Sequence, residues 1–318
     1  MARTRYAPDR GLTVRMTATM FLLGLVFVAF VVAIIGIMDA IGASVGAIVV
    51  IAVLVGGGLA FTSLFYSDKI ALRTAGAREV TPRDEPELHG IVDRLCALAD
   101  MDKPRVAIAP TRLPNAFATG RNSKNSVLCV TQGLLDMLDD AELEGVLAHE
   151  MSHVAHKDVQ VMTYASLLAV IAGLLIRFSF YGELFGGGRG RGNNNNGNAA
   201  LIFLAMMVVS VVVYAISFLL IRMLSRYREL AADRSGALLT GQPSALKSAL
   251  TKVSGSMARI PTQDLRSAEP LNAFFFAPAL NLRAGKTPAN LFSTHPSLEK
   301  RIAELDKIQR QLGRVSPE

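Results

Sequence analysis

Apolar residues run without a charge over positions 16–38, beginning MTATMFLLGLVFVAF, and again over 40–67. Each run reaches the roughly 20 residues an α-helix needs to cross a bilayer. Asp39 is the only charge between them, so they predict a membrane hairpin with a short loop. The first run is too long for a removable signal peptide and lacks a small-residue cleavage site. A third apolar block extends from Val159 to about Tyr181 and is interrupted by Arg177, a side chain long enough to reach the interface. A fourth, Ala199 to Ile221, carries no charge. Between the last two lies GGGRGRGNNNNGN, residues 186–198, whose Gly/Asn composition cannot build a core and reads as a loop.

The polar stretches show other periods. In DEPELHGIVDRLCALADM, acidic residues precede Leu88, Ile91, Val92, Leu95 and Leu98 at helical spacing. RVAIAP and NSVLCVT read as strands. Near the C-terminus, HPSLEKRIAELDKIQRQL places Leu298, Ile302, Leu305 and Ile308 on one stripe. Neither polar half has enough apolar positions for a core of its own. The expected layout is therefore a membrane hairpin (1–67), a first catalytic half (68–158), a second hairpin (159–221) and a second half (222–318). The two halves are expected to combine into one α+β domain, mainly helical with a small sheet.

The chain is 51% hydrophobic and 19% charged, and the charges crowd between the apolar blocks. Its net charge of +7 comes from residues flanking those blocks rather than from a basic stripe interleaved with aromatics, which argues against nucleic acid as a partner. Arg3, Arg5, Arg10 and Arg15 precede the first block; Lys69, Arg73 and Arg78 follow the second; Arg222, Arg226, Arg228 and Arg234 follow the fourth. The first loop has no positive residue and the Gly/Asn loop only Arg189 and Arg191, so both termini and both polar halves are expected in the cytoplasm. Cys96 and Cys129 have no metal-binding or disulfide spacing and read as small core residues.

LAHEMSHVAHKD, residues 147–158, contains three of the five histidines. Asp139 and Glu142 have the spacing of a capping box, which predicts a helix from about Asp140 to His156. On it His149 and His153 are one turn apart and project from one face, so two imidazole nitrogens can meet one zinc ion. His156 is about two turns from His149, roughly 10.5 Å along the axis, and cannot join both. Glu150 completes H-E-x-x-H, where a carboxylate beside the metal takes a proton from water and passes it to a leaving amine. A catalytic zinc needs a third protein ligand. SRYRELAADRSG, residues 225–236, offers Glu229 for that place and Asp233 to orient a ligand histidine, although a solvated juxtamembrane face is the stronger reading of the spacing alone.

HEMSHVAHKD and SRYRELAAD together resemble the HtpX type of integral-membrane zinc metalloprotease, a zincin-like family related to the endopeptidases that trim prenylated proteins. LPNAFATG (113–120) and FSTHPSLEKRI (292–302) are similar to further stretches typical of the family. The resemblance implies one zinc held by His149, His153 and Glu229. It also implies Asn115 in or beside an edge strand that pairs with substrate backbone, and His295 stabilising the oxyanion. Its implied function is an endopeptidase of the bacterial plasma membrane that removes misfolded membrane proteins under stress. A narrow processing protease and a non-catalytic membrane scaffold are the alternatives. No G-x-x-x-x-G-K-[ST] occurs, so no built-in ATP-driven unfoldase is expected and substrates must already be flexible.

Overall fold

A computed structural model describes residues 10–40, 45–186, 196–259 and 295–315. Most of the Gly/Asn stretch, residues 41–44 and the FST of FSTHPSLEKRI lie outside the described residues. The chain forms two compact units. One comprises Leu64–Gln160 and Ser225–Glu318 with the N-terminal residues to Val14; the other comprises Arg15–Ser63 and Val161–Leu224.

The first unit contains the sheet. Its strands are β1 (Arg78–Glu79), β2 (Arg105–Ala109), β3 (Ala116–Gly120) and β4 (Ser126–Thr131), in the order β1-β2-β4-β3. β2 and β4 run parallel, and β1 and β3 pair with them antiparallel at the two edges. Alternation decides which side chain goes where. Val106, Ile108, Ala116, Leu128 and Val130 face the main core, while Ala107, Ala109, Phe117, Val127 and Cys129 face a second cluster that includes Ala71. β3 ends at Gly120, whose φ of 140° and whose approach to Asn125 exclude a side chain: a Cβ there would lie 2.2 Å from the Asn125 carbonyl oxygen.

The main core is closed by α3 (Pro86–Ala99), a short α4 (Gln132–Leu135), α5 (Asp140–Ala155), α8 (Pro243–Met257) and α9 (Leu298–Val315). It draws Leu95, Leu147 and Met151 from one polar half and Leu246, Leu250 and Leu305 from the other. Helix α5 starts as its sequence dictates: Asp139 accepts from the Glu142 N–H at 2.9 Å, and Glu142 accepts from the Asp139 N–H at 3.1 Å. Glu142 also holds Ser248 and Lys252 of α8, at 2.6 and 2.7 Å, which ties the start of α5 to that helix.

The second unit takes α1 (Arg10–Ala40) from Arg15, α2 (Val45–Ala75) as far as Ser63, α6 (Asp158–Gly186) from Val161 and α7 (Asn196–Thr240) as far as Leu224. Phe30 and Ile34, Leu168 and Ala172, and Met206 and Val213 form its interior seam. Large apolar side chains point outward instead, Phe21 at 70% exposure and Val208 at 51%, as expected where lipid replaces water. Among the described residues, Thr13–Ile37, Asp158–Ile176 and Leu204–Thr240 are long and apolar enough to cross a membrane. The last range exceeds one crossing, and its C-terminal turns belong to the first unit.

Candidate metal centre

Helix α5 lies in the middle of the first unit, so both its faces are covered. Leu147 and Met151 enter the core across the helix from His149 and His153, and Glu150 lies on the flank between them. The two imidazoles lie 5.0 Å apart between ring centres and cross at 86°. Glu229 arrives on α7: its Oε1 is 3.6 Å from His153 Nε2 and its Oε2 is 3.8 Å from His149 Nε2. One donor atom from each of the three residues falls within 4.8 Å of the others. Bonds of about 2.0–2.1 Å in a tetrahedral zinc site imply ligand atoms roughly 3.4 Å apart, close to these separations. Gly236, two turns beyond Glu229, permits the approach of α7, because a Cβ there would stand 2.9 Å from the His149 backbone nitrogen.

Each ring has its other nitrogen on a carboxylate. His149 Nδ1 is 3.0 Å from Asp233, and His153 Nδ1 is 2.5 Å from Asp158. Protons on both Nδ1 atoms leave Nε2 as the atom turned to Glu229, the tautomer a metal requires. Both carboxylates are buried and each meets an arginine. Arg301, from α9 and 2% exposed, donates to Asp233 through Nε at 2.8 Å and Nη2 at 2.6 Å. Arg228, from α7, lies 2.5 Å from Asp158. Four buried carboxylates (Glu150, Asp158, Glu229, Asp233) thus face two buried guanidiniums. The donor set of His149, His153 and Glu229 fits a divalent cation.

The electrostatics of the α5 side chains agree. Burial lowers His149 despite the Asp233 carboxylate. Burial also pulls on His153, but Asp158, then Glu229 and Glu150, outweigh it and push the ring up to about 9: its pocket favours a cation at Nε2. Burial raises Glu150 to about 7, with Glu229 adding to the push and His153 opposing it. A carboxylate poised near neutrality suits a general base. Its Oε2 accepts the Ala118 N–H at 3.1 Å, which sets it beside the edge strand β3.

Of the other residues singled out in the sequence, Asn115 is buried just before β3, its carbonyl accepting the Thr131 N–H at 2.9 Å. His295 places Nδ1 2.9 Å from Glu229 Oε2. His156 is exposed at the end of α5, outside the donor cluster. Burial raises the Cys96 thiol to about 11 and the Cys129 thiol to about 12, which makes them core residues rather than thiolate donors. Sequence reasoning missed Asp158, Arg301 and the burial of Arg228, which it counted only as a flanking charge. An aspartate at the start of a helix is the one local signal Asp158 carries. Arg301 sits on the α9 stripe itself, four residues before Leu305.

An α+β domain with this donor cluster, attached to membrane-spanning helices, defines a membrane-associated metallopeptidase. The chain belongs to Peptidase family M48, whose profile matches residues 82–309. It is an HtpX-type member. It is 55% identical to Protease HtpX homolog 1 of Streptomyces coelicolor over 98% of this chain and 97% of that one, and 50% identical to the Protease HtpX homolog of Moorella thermoacetica over 98% of each. The crystal structure of S. mikatae Ste24p shares the fold, with a TM-score of 0.53 at 17% identity over 94% of this chain and 67% of that one.

Proposed function

We propose that the protein is a zinc endopeptidase that cleaves flexible segments of damaged membrane proteins at the cytoplasmic face of the membrane. The observation that carries this reading is the convergence of His149, His153 and Glu229 beside Glu150 and the edge strand β3. Zinc, when bound, supplies Lewis acidity that acidifies water and polarises the scissile carbonyl. Glu150 takes the proton from the attacking water and delivers it to the amide nitrogen as the C–N bond breaks.

Substrate is held by β3. Asn115 faces Thr131 in the antiparallel register, so Ala116 and Ala118, offset by one and three residues, turn their backbone groups away from β4; with the Ala118 N–H on Glu150, the Ala116 N–H and the two carbonyls are the groups offered to a further strand. An extended peptide adds there as a further strand, with Asn115 at its start. His295, held against Glu229, is assigned to the developing oxyanion. The preference for membrane proteins follows from chain connectivity. Glu229 lies a few residues beyond the apolar part of α7, and His153 a few residues before α6. The arginines at those ends favour the cytoplasm.

Two measurements test this. In proteoliposomes, the zinc-loaded protein should cut a membrane protein with an unstructured cytoplasmic tail faster than the same tail supplied free; equal rates would remove the membrane preference. In a cysteine-free background, an impermeant maleimide on intact cells should label a cysteine at Asn195 and spare one at the exposed Ser244 until the cells are opened. The reverse pattern would place the site on the other side.

A further inference from the structure

We infer that Asp158 is the positioning residue of His153 and that Arg228 is its counter-ion, so that the second histidine has an arm equivalent to the Asp233–Arg301 arm of the first. The inference rests on the metal-site reading above. Asp158 Oδ2 lies 2.5 Å from His153 Nδ1 and 2.5 Å from Arg228 Nη2, and both Asp158 and Arg228 are buried. An acid at a helix start ordinarily serves its own helix, accepting from the first N–H groups or facing the dipole in water. Asp158 does neither. Its Oδ2 is taken up by the histidine and the arginine, and its Oδ1 has no hydrogen-bond partner among the described residues. The chain makes a local sacrifice to bring it there. Lys157 adopts a left-handed φ of 56°, a strained conformation for a residue with a Cβ, at the turn that brings Asp158 to the ring five positions earlier.

The two arms share chemistry but not origin. In each, a buried carboxylate accepts from Nδ1, fixes the ring plane so that Nε2 faces Glu229, and strengthens that nitrogen as a donor. In each, one arginine tempers the added negative charge. One arm depends on α9 through Arg301; the other depends on α7, where Arg228 immediately precedes the candidate ligand Glu229. Helix α7 therefore touches the centre three times, through Arg228, Glu229 and Asp233.

The test uses the full chain in detergent, stripped of metal and then titrated with zinc against a chromophoric chelator. Asp158→Asn should weaken zinc binding about 10–100-fold, as Asp233→Asn should, and should alter the visible spectrum of the cobalt-substituted protein. Asp158→Asn/Arg228→Gln removes the uncompensated charge. It should restore the metal-free unfolding midpoint toward wild type while zinc affinity stays low. A folded double variant that binds zinc as tightly as wild type would show Asp158 to be structural only and overturn the inference. Should either variant not fold, Asp158→Glu decides, since it keeps the charge pair and displaces the oxygen by one methylene: weaker zinc binding supports positioning and unchanged binding overturns it. Equal zinc binding by wild type and Glu229→Ala would instead sink the underlying metal reading.

Discussion

Helix α5 carries two candidate ligands within 16 residues that are buried on nearly every side, whereas α7 carries the third near the end of a 45-residue helix whose earlier part is apolar and outward-facing. On α5 the positions follow from local rules. The capping box sets where the helix starts, the i,i+4 spacing aligns His149 and His153, and a core on the opposite face prevents rotation. On α7 there is no equivalent cap near Glu229. Its placement depends on neighbours: Gly236 against the backbone of α5, Arg228 on Asp158, His295 on Glu229, and Arg301 joining Asp233. The same cluster thus has one side set by secondary structure and another set by tertiary contacts.

Four experiments sharpen or break that contrast. The largest effect belongs to α5. Glu150→Gln should lower peptide cleavage by roughly 10²–10⁴ while metal content, measured by elemental analysis, stays at the wild-type level. Next, His153→Ala and Glu229→Ala should weaken zinc binding equally, each by more than the roughly 10–100-fold typical of an outer partner, although they sit on helices held so differently. A much milder Glu229 variant would mean that α5 alone defines the centre.

The third experiment uses pH. Glu150 has an ordinary value of 4.5 and is raised to about 7 in the folded chain, so folding takes up a proton between those values. The stability of metal-stripped protein should therefore fall as pH rises from about 4.5 to about 7, where the folded chain must give that proton up. Glu150→Gln should remove this loss. Stripped of metal, it should exceed wild type by about 3 kcal/mol at alkaline pH, with the difference vanishing below the ordinary carboxylate range. Thermal unfolding at acid and alkaline pH would show it; a constant difference would disprove the cause.

The smallest effect compares one glycine on each helix. A Cβ at Gly236 would meet α5 backbone at 2.9 Å, while one at Gly145 of α5 would meet α8 at 3.2 Å. Alanine improves helix propensity by about 1 kcal/mol at either place, but a backbone atom cannot rotate away as a side chain can. Gly236→Ala should destabilise by about 1–3 kcal/mol and weaken zinc binding, and Gly145→Ala should cost less. Equal unfolding midpoints would show that α7 is not held at Gly236.

Much of this was legible in residue spacing. H-E-x-x-H and the Asp139–Glu142 cap act within one or two helical turns, so their geometry follows from the helix itself. RVAIAP and NSVLCVT read as strands because their β-branched residues lie in short apolar runs bounded by turn residues. β3 was less visible: Ala-Phe-Ala-Thr-Gly has weak strand preference, and it is extended because β4 pairs with it. On α9 the apolar stripe was readable, but Arg301 occupies the same face, and no local rule buries a guanidinium there.

Residue order alone accounts for the apolar segments, the helix that bears two histidines and a glutamate, and the charge that flanks the apolar segments. These depend on runs and repeats a few residues long. It takes the folded chain to bring Glu229 to those histidines, to set Asp158 and Asp233 against one ring each, and to bury Arg228 and Arg301 beside them. The reason is physical. A buried charge is tolerated only where an opposite charge meets it, and for Arg301 and Asp233 that partner lies 68 residues away along the chain.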